Sequence, residues 1–130
     1  MTIERAVQFL AAIQLLAIGI SHIVAHRAWA SYFVKLRERG VAGVFVAAFL
    51  ALGFGSFIVA LHPVWSGIPL LLTLLGWSQV AKGCLYFWRP EIGLRMLETV
   101  SVERSSRFIV PGAVMTLLGL ALLYHLWARG

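Results

Sequence analysis

The 130-residue sequence contains no aspartate and no asparagine. Soluble loops, Asx turns and oxygen-rich calcium sites draw on those two residues, so their absence argues against each. Charge is scarce as well. Only 12% of residues are charged, where a soluble domain usually carries about a quarter. The five acids are Glu4, Glu38, Glu91, Glu98 and Glu103, and none falls inside a long apolar run. Proton-coupled cation export uses an intramembrane acid that takes proton and substrate in turn, so that class is disfavoured. The single cysteine, Cys84, excludes an internal disulfide and leaves the redox compartment unreadable.

Catalytic signatures are missing too. There is no Walker loop and no dinucleotide fingerprint. Ser21 and His22 are neighbours, so on a helix their side chains diverge by about 100°. No buried acid is at hand to orient the imidazole. A non-enzymatic role is favoured over an enzymatic one.

What is present is apolar sequence. Hydrophobic residues make up 61% of the chain and the mean hydropathy is +0.90. Four runs, 6–26, 41–61, 67–88 and 108–127, match the roughly 20 residues needed to cross a bilayer. Only helices and closed barrels satisfy their backbones in lipid, and these continuous runs lack the alternation of barrel strands. The expectation is an all-α membrane protein, with residues 1–130 forming one four-helix transmembrane domain. Pro69 and Pro111 fall where the first turns of the third and fourth helices should lie.

The net charge of +6 is unevenly placed. Arg27, Lys35, Arg37 and Arg39 follow the first span, and Lys82, Arg89, Arg95, Arg104 and Arg107 follow or end the third. Only Arg5 and Arg129 lie on the other side. Contact with anionic lipid headgroups accounts for such clusters better than nucleic acid does. The bias predicts basic loops in the cytoplasm and both termini outside, as in a bacterial inner-membrane protein. The "AWA" at 28–30 resembles a signal-peptidase site. Even so, a start with little net positive charge, the long apolar run and the basic residues after it read as a retained span.

Both basic loops read as amphipathic interfacial segments. Trp29, Tyr32, Phe33 and Leu36 share one helical face. "PEIGLRMLETV" repeats the pattern more weakly. Trp65, Tyr124 and Trp127 supply an aromatic belt at the opposite boundary. A two-fold repeat of helical hairpins is also suggested. "GISHIVA" at 19–25 pairs with "GWSQVAK" at 76–82, and Glu38-Arg39 with Glu103-Arg104. That pairing sets His22 opposite Gln79 at equal depth. It relates the halves by a pseudo-twofold axis along the membrane normal. Ala47, Ala51 and Gly55, with Gly112, Thr116 and Gly119, offer small-residue faces for close helix packing. They would serve within the chain or between copies in a homo-oligomer.

Polar side chains inside spans are the functional candidates. Ser21, His22, Ser78, Gln79 and Lys82 cluster toward the basic side, with Gln14 deeper on the first helix. If the first and third helices face each other, these residues form a donor-rich site for an anion, a carbonyl or a phosphate headgroup. The bland alternative for Lys82 is snorkelling to the headgroups. His22, His26 and Cys84 are weak metal candidates lacking carboxylate support. His62 and His125 are the pair whose depth would suit a haem. No cofactor is favoured.

The leading expectation is a membrane protein that binds or transports a small anionic or amphipathic molecule or lipid between the first and third helices. One rival is a quinone- or haem-binding redox subunit. Another is a structural or accessory subunit of a larger membrane complex.

Overall fold

The computed structural model describes residues 1–130. It is all-helical: α1 (Ile3–Val24), α2 (His26–Glu38), α3 (Val41–Leu61), α4 (Pro69–Trp88), α5 (Pro90–Glu98), a 3-10 segment (Val102–Phe108) and α6 (Ile109–Arg129). Four helices are long and apolar enough to cross a membrane: α1, α3, α4 and the last, with the 3-10 segment leading into α6. This is an integral membrane architecture.

Local chemistry sets the ends. Thr2 caps α1, its hydroxyl accepting from the Arg5 N–H at 3.2 Å. His62 precedes Pro63 and Arg89 precedes Pro90. A residue before proline is pushed out of the helical region, and both adopt extended-side backbone (φ −134° and −133°). Each therefore stops a span, and Pro90 then opens α5. Gly40, at φ 62°, makes the turn into α3 that a side chain would strain. At the far end, Arg5 Nη2 donates to the Leu126 carbonyl at 2.9 Å, occupying an open acceptor of the last turn of α6.

The basic loops are more ordered and more buried than interfacial segments lying apart in the headgroup layer. Leu36 is buried and Trp29 and Phe33 are partly buried, while Tyr32 stays exposed. Phe33 stacks on Phe108 with centroids 5.5 Å apart and planes 10° from parallel. His26 Nδ1 meets Ser105 Oγ at 2.8 Å, and Arg37 Nη1 donates to the Val100 carbonyl at 2.8 Å. The two loops are thus tied to each other across the basic end of the bundle.

The spans pack as two pairs, α1 along α6 and α3 along α4, with only brief contact between α1 and α3 or between α4 and α6. Glycine brings each pair together. A Cβ at Gly19 would lie 2.8 Å from the Gly112 carbonyl, and one at Gly83 would lie 3.0 Å from the Ala48 carbonyl. A Cβ at Gly119 would lie 3.2 Å from the Ala12 carbonyl, and one at Gly55 would lie 2.6 Å from the Gly76 carbonyl. In lipid such close approach supplies the van der Waals contact that holds helices together.

The close approaches do not follow the pairing of Gly19 with Gly76. Gly19 does on α1 what Gly83 does on α4, and Ala12 does what Gly76 does, a spacing of 64 residues throughout. Counted from the ends of their helices, His22 and Gln79 hold different positions, although both line one cavity. His22 lies in the last turn of α1, whereas Gln79 is nine residues short of Trp88. That difference of seven residues is about 10 Å along a helix.

Candidate functional site in the inter-pair cleft

Because the two pairs touch so little, a cleft runs between them. Toward the basic end it holds a cavity of about 250 Å³, lined by His22, Trp29, Gln79 and Lys82 among others. A second cavity of about 280 Å³ adjoins it, sharing Ile18, Gln79 and Lys82 and adding Gln14, Leu15 and Met115. Four of the six sequence candidates, Gln14, His22, Gln79 and Lys82, therefore border one connected space.

His22 is fixed on three sides. Its Nδ1–H donates to the Ile18 carbonyl at 2.8 Å, since a carbonyl can only accept. The ring lies on Trp29 with centroids 4.0 Å apart and planes 23° from parallel, and Phe108 flanks it at 5.9 Å. Trp29 is held in turn by Nε1–H donating to Ser21 Oγ at 2.9 Å. With Nδ1 donating, Nε2 is left without a partner in the protein, and in the tautomer protonated at Nδ1 alone it would offer an acceptor lone pair.

The other three polar groups are unpaired. Gln14 and Gln79 make no hydrogen bond within the protein, and the one polar contact of Lys82 is its ammonium over the Tyr86 ring at 5.6 Å. No carboxylate joins them: the chain's one salt bridge is Arg89 with Glu91, exposed at the start of α5. In the second cavity α4 presents Gln79 and Lys82, and α1 presents Leu15 and Ile18 with Gln14 beyond them. The arrangement can donate hydrogen bonds and positive charge to an acceptor while sheltering an apolar portion beside it.

The remaining sequence candidates fall elsewhere. Ser21 serves Trp29. Ser78 is exposed and its hydroxyl bonds the Leu75 carbonyl at 2.7 Å, so it turns away from the cavities. Nowhere do three or more His, Cys, Asp or Glu side chains come together in a metal-binding group, and the His26 ring is engaged with Ser105. The proposed grouping of His22, His26 and Cys84 therefore does not form.

His62 occupies a different place from the one expected of a haem ligand. It is fully buried, with Nε2 3.0 Å from Gln8 Nε2 and Nδ1 3.0 Å from Thr73 Oγ1. Thr73 Oγ1 also reaches the Val64 carbonyl at 2.6 Å. Both ring nitrogens are thus committed, and the ring ties α1 to the α3–α4 connection. His125 is half-buried near the end of α6 and makes no hydrogen bond. Burial pushes the His62 imidazole below its usual pKa, and the Glu4 charge partly opposes that shift. Gln8 Oε1 is left buried without a partner.

Gln8 and Thr73 escaped the sequence reading. The signal for Gln8 was there: with Ala11, Ala12 and Leu15 it shares the i, i+3, i+4, i+7 face that forms the core. A glutamine on that face needs a buried partner.

No protein-family model, curated protein or solved structure matches the chain.

Proposed function

We propose that this membrane protein binds a small amphipathic molecule with an anionic or carbonyl head in the cleft between its helix pairs. Gln79 and Lys82 contact the head, with His22 and Gln14 at the edges. Its role is binding or transport rather than catalysis. The observation that carries the reading is that the half-buried Gln79 and the exposed Gln14 and Lys82 border connected cavities between apolar helices with no hydrogen-bond partner of their own. Unpaired polar groups in a span are costly unless a ligand or water engages them.

The 64-residue spacing supplies an internal control. We read it as a two-fold repeat with its axis along the membrane normal, as parallel repeats are arranged in some transporters. Under that spacing Lys82 corresponds to Ile18, Gln79 to Leu15, and His22 to Tyr86. Both members of the first two pairs line the same cavity. Apolar side chains suffice for packing at these positions in one half, so packing alone does not call for Gln79 and Lys82 in the other. The polar wall is then an addition to the fold, which suits one ligand held in one orientation.

The basic loops face the cytoplasm in this reading, and both termini lie outside. Anionic headgroups gather at the basic end beside the cleft. The small-residue faces are used within the chain, so a homo-oligomer would use other surfaces. The redox alternative is a quinone held in this cleft in its reduced, quinol form. A quinol hydroxyl would donate to His22 Nε2 while Lys82 donates to the other quinol oxygen across the same cavity.

The test compares Lys82→Met with wild type. Lipids and small molecules co-purifying with each are quantified by mass spectrometry, and thermal midpoints are measured in the same detergent. The expected result is loss of a bound amphiphile with a midpoint lowered by a few degrees at most. Equal loss of stability and ligand would reduce Lys82 to an anchor, and the absence of any bound amphiphile in wild type would remove the reading.

A further inference from the structure

The cleft continues past Gln14 into a third cavity of about 460 Å³ between α1 and α3. Leu10, Gln14, Phe49, Phe54 and Phe57 line it, and Gly53 forms its floor. Gln14 and Phe54 border this groove and the polar-walled cavity alike, so the two spaces adjoin.

Gly53 is the informative residue. A Cβ there would meet nothing within 4 Å, whereas at Gly55, two residues on, it would strike the Gly76 backbone at 2.6 Å. No helix approaches Gly53, so protein packing does not account for it, and its backbone conformation is ordinary helix. What glycine does at this position is keep the groove floor low between Phe49 and Phe57. At the 64-residue spacing the corresponding position is Leu117, an exposed leucine, with alanines 113 and 121 in place of the two phenylalanines. The phenylalanines that flank Gly53 thus have no counterpart on α6.

We infer that the groove floored by Gly53 seats a single apolar chain whose anionic head lies against Gln79 and Lys82. The ligand class is a one-chain amphiphile with a compact acceptor head, such as a long-chain carboxylate. This inference rests on the head-binding reading above and adds the tail to it. A second apolar cavity, of about 370 Å³ beside Ala28, Trp29 and Tyr32, shares no residue with the polar-walled cavity, so the groove over Gly53 is the one continuous with it and seats one chain rather than the two of a diacyl lipid. Gln14, at the junction, meets the polar end of that chain. The cleft opens sideways between α1 and α3, so such a molecule enters from the bilayer without crossing water.

The experiment uses the full chain in lipid nanodiscs with palmitate carrying a mid-chain diazirine and a ¹³C-labelled carboxyl. Cross-linked peptides are mapped, and the carboxyl resonance reports the head. In wild type, labelling should concentrate on α1 and α3 around Leu10, Phe49 and Phe57. The face of α6 around Leu117 gives the background. Lys82→Ile should abolish the carboxyl shift and lower groove labelling at least tenfold. Gly53→Leu, which sets a leucine as at Leu117 on a surface with free space, should lower groove labelling at least fivefold and leave the carboxyl shift in place. If Lys82→Ile changes neither signal, the head site fails and the tail inference with it. If Lys82→Ile removes the carboxyl shift but groove labelling equals the α6 background or ignores Gly53→Leu, the head site stands and the tail inference is overturned.

Discussion

The imidazole of His22 lies on the indole of Trp29, ring centres 4.0 Å apart, at the point where α1 ends and α2 turns away. No proline or glycine makes that turn. Ala25 holds it with φ −120° and ψ 36°, and the stack, together with the Trp29–Ser21 hydrogen bond, fixes its angle.

Trp29→Phe should keep a ring over His22 and lose the bond to Ser21. A net cost of about 1 kcal/mol is expected for one hydrogen bond. Trp29→Ala removes the stack as well and should cost about 3 kcal/mol or more. Chemical denaturation in a fixed micelle composition would measure both. Equal effects would show that the ring itself contributes nothing.

Two glycines two residues apart on α3 should respond oppositely to enlargement. Gly55→Leu drives a side chain into the Gly76 backbone and must part α3 from α4, with a cost of at least about 1–3 kcal/mol from overpacking. Gly53→Leu meets open space and replaces a poor helix former, so its thermal midpoint should match or exceed wild type. A lowered midpoint for both would mean that the surface at Gly53 is occupied by protein after all.

The buried His62 makes stability depend on pH, with a definite sign. Its folded-state pKa is held below the unfolded value by burial, so the unfolded chain binds the extra proton first. The contribution is complete above about pH 6.5 and is lost as pH falls below it, until the folded-state ring also protonates. His62→Leu, which sets at this position what Leu126 supplies 64 residues on, should flatten that part of the profile. Glu4→Gln should steepen it, because the Glu4 charge favours the protonated ring. Thermal midpoints measured from pH 5 to 8 would decide; a decline that persists unchanged in His62→Leu would assign it to another group.

The charge asymmetry predicts that a reporter fused after Gly130 is active only when exported. Alkaline phosphatase there should be active, and a fluorescent protein that folds only in the cytoplasm should be dark. Moving bulk positive charge to the ends, by Glu4→Lys with Arg37→Gln and Arg39→Gln, should produce a mixed population. A cytoplasmic terminus in the unmodified chain would reverse the orientation.

Much of this architecture could be read from residue order alone. Four apolar runs of bilayer length leave the backbone no alternative to helices, and Pro63 and Pro90 end two of them by local sterics. Hydropathy and proline act within a few residues of themselves, so a linear reading captures them. The polar candidates Gln14, His22, Gln79 and Lys82 stood out for the same reason, as rare polar side chains in apolar runs.

Tertiary structure decided which of those side chains meet. Letter similarity paired Gly19 with Gly76, but the helices close on Gly19 and Gly83, because backbone approach is settled by where the partner helix crosses. The same crossings turned Ser78 outward, buried His62 between Gln8 and Thr73, and left a cleft where the two helix pairs fail to touch. A cavity is a property of space that packing leaves unfilled. Its polar wall at Gln79 and Lys82, and its groove over Gly53, exist only once both pairs are in place.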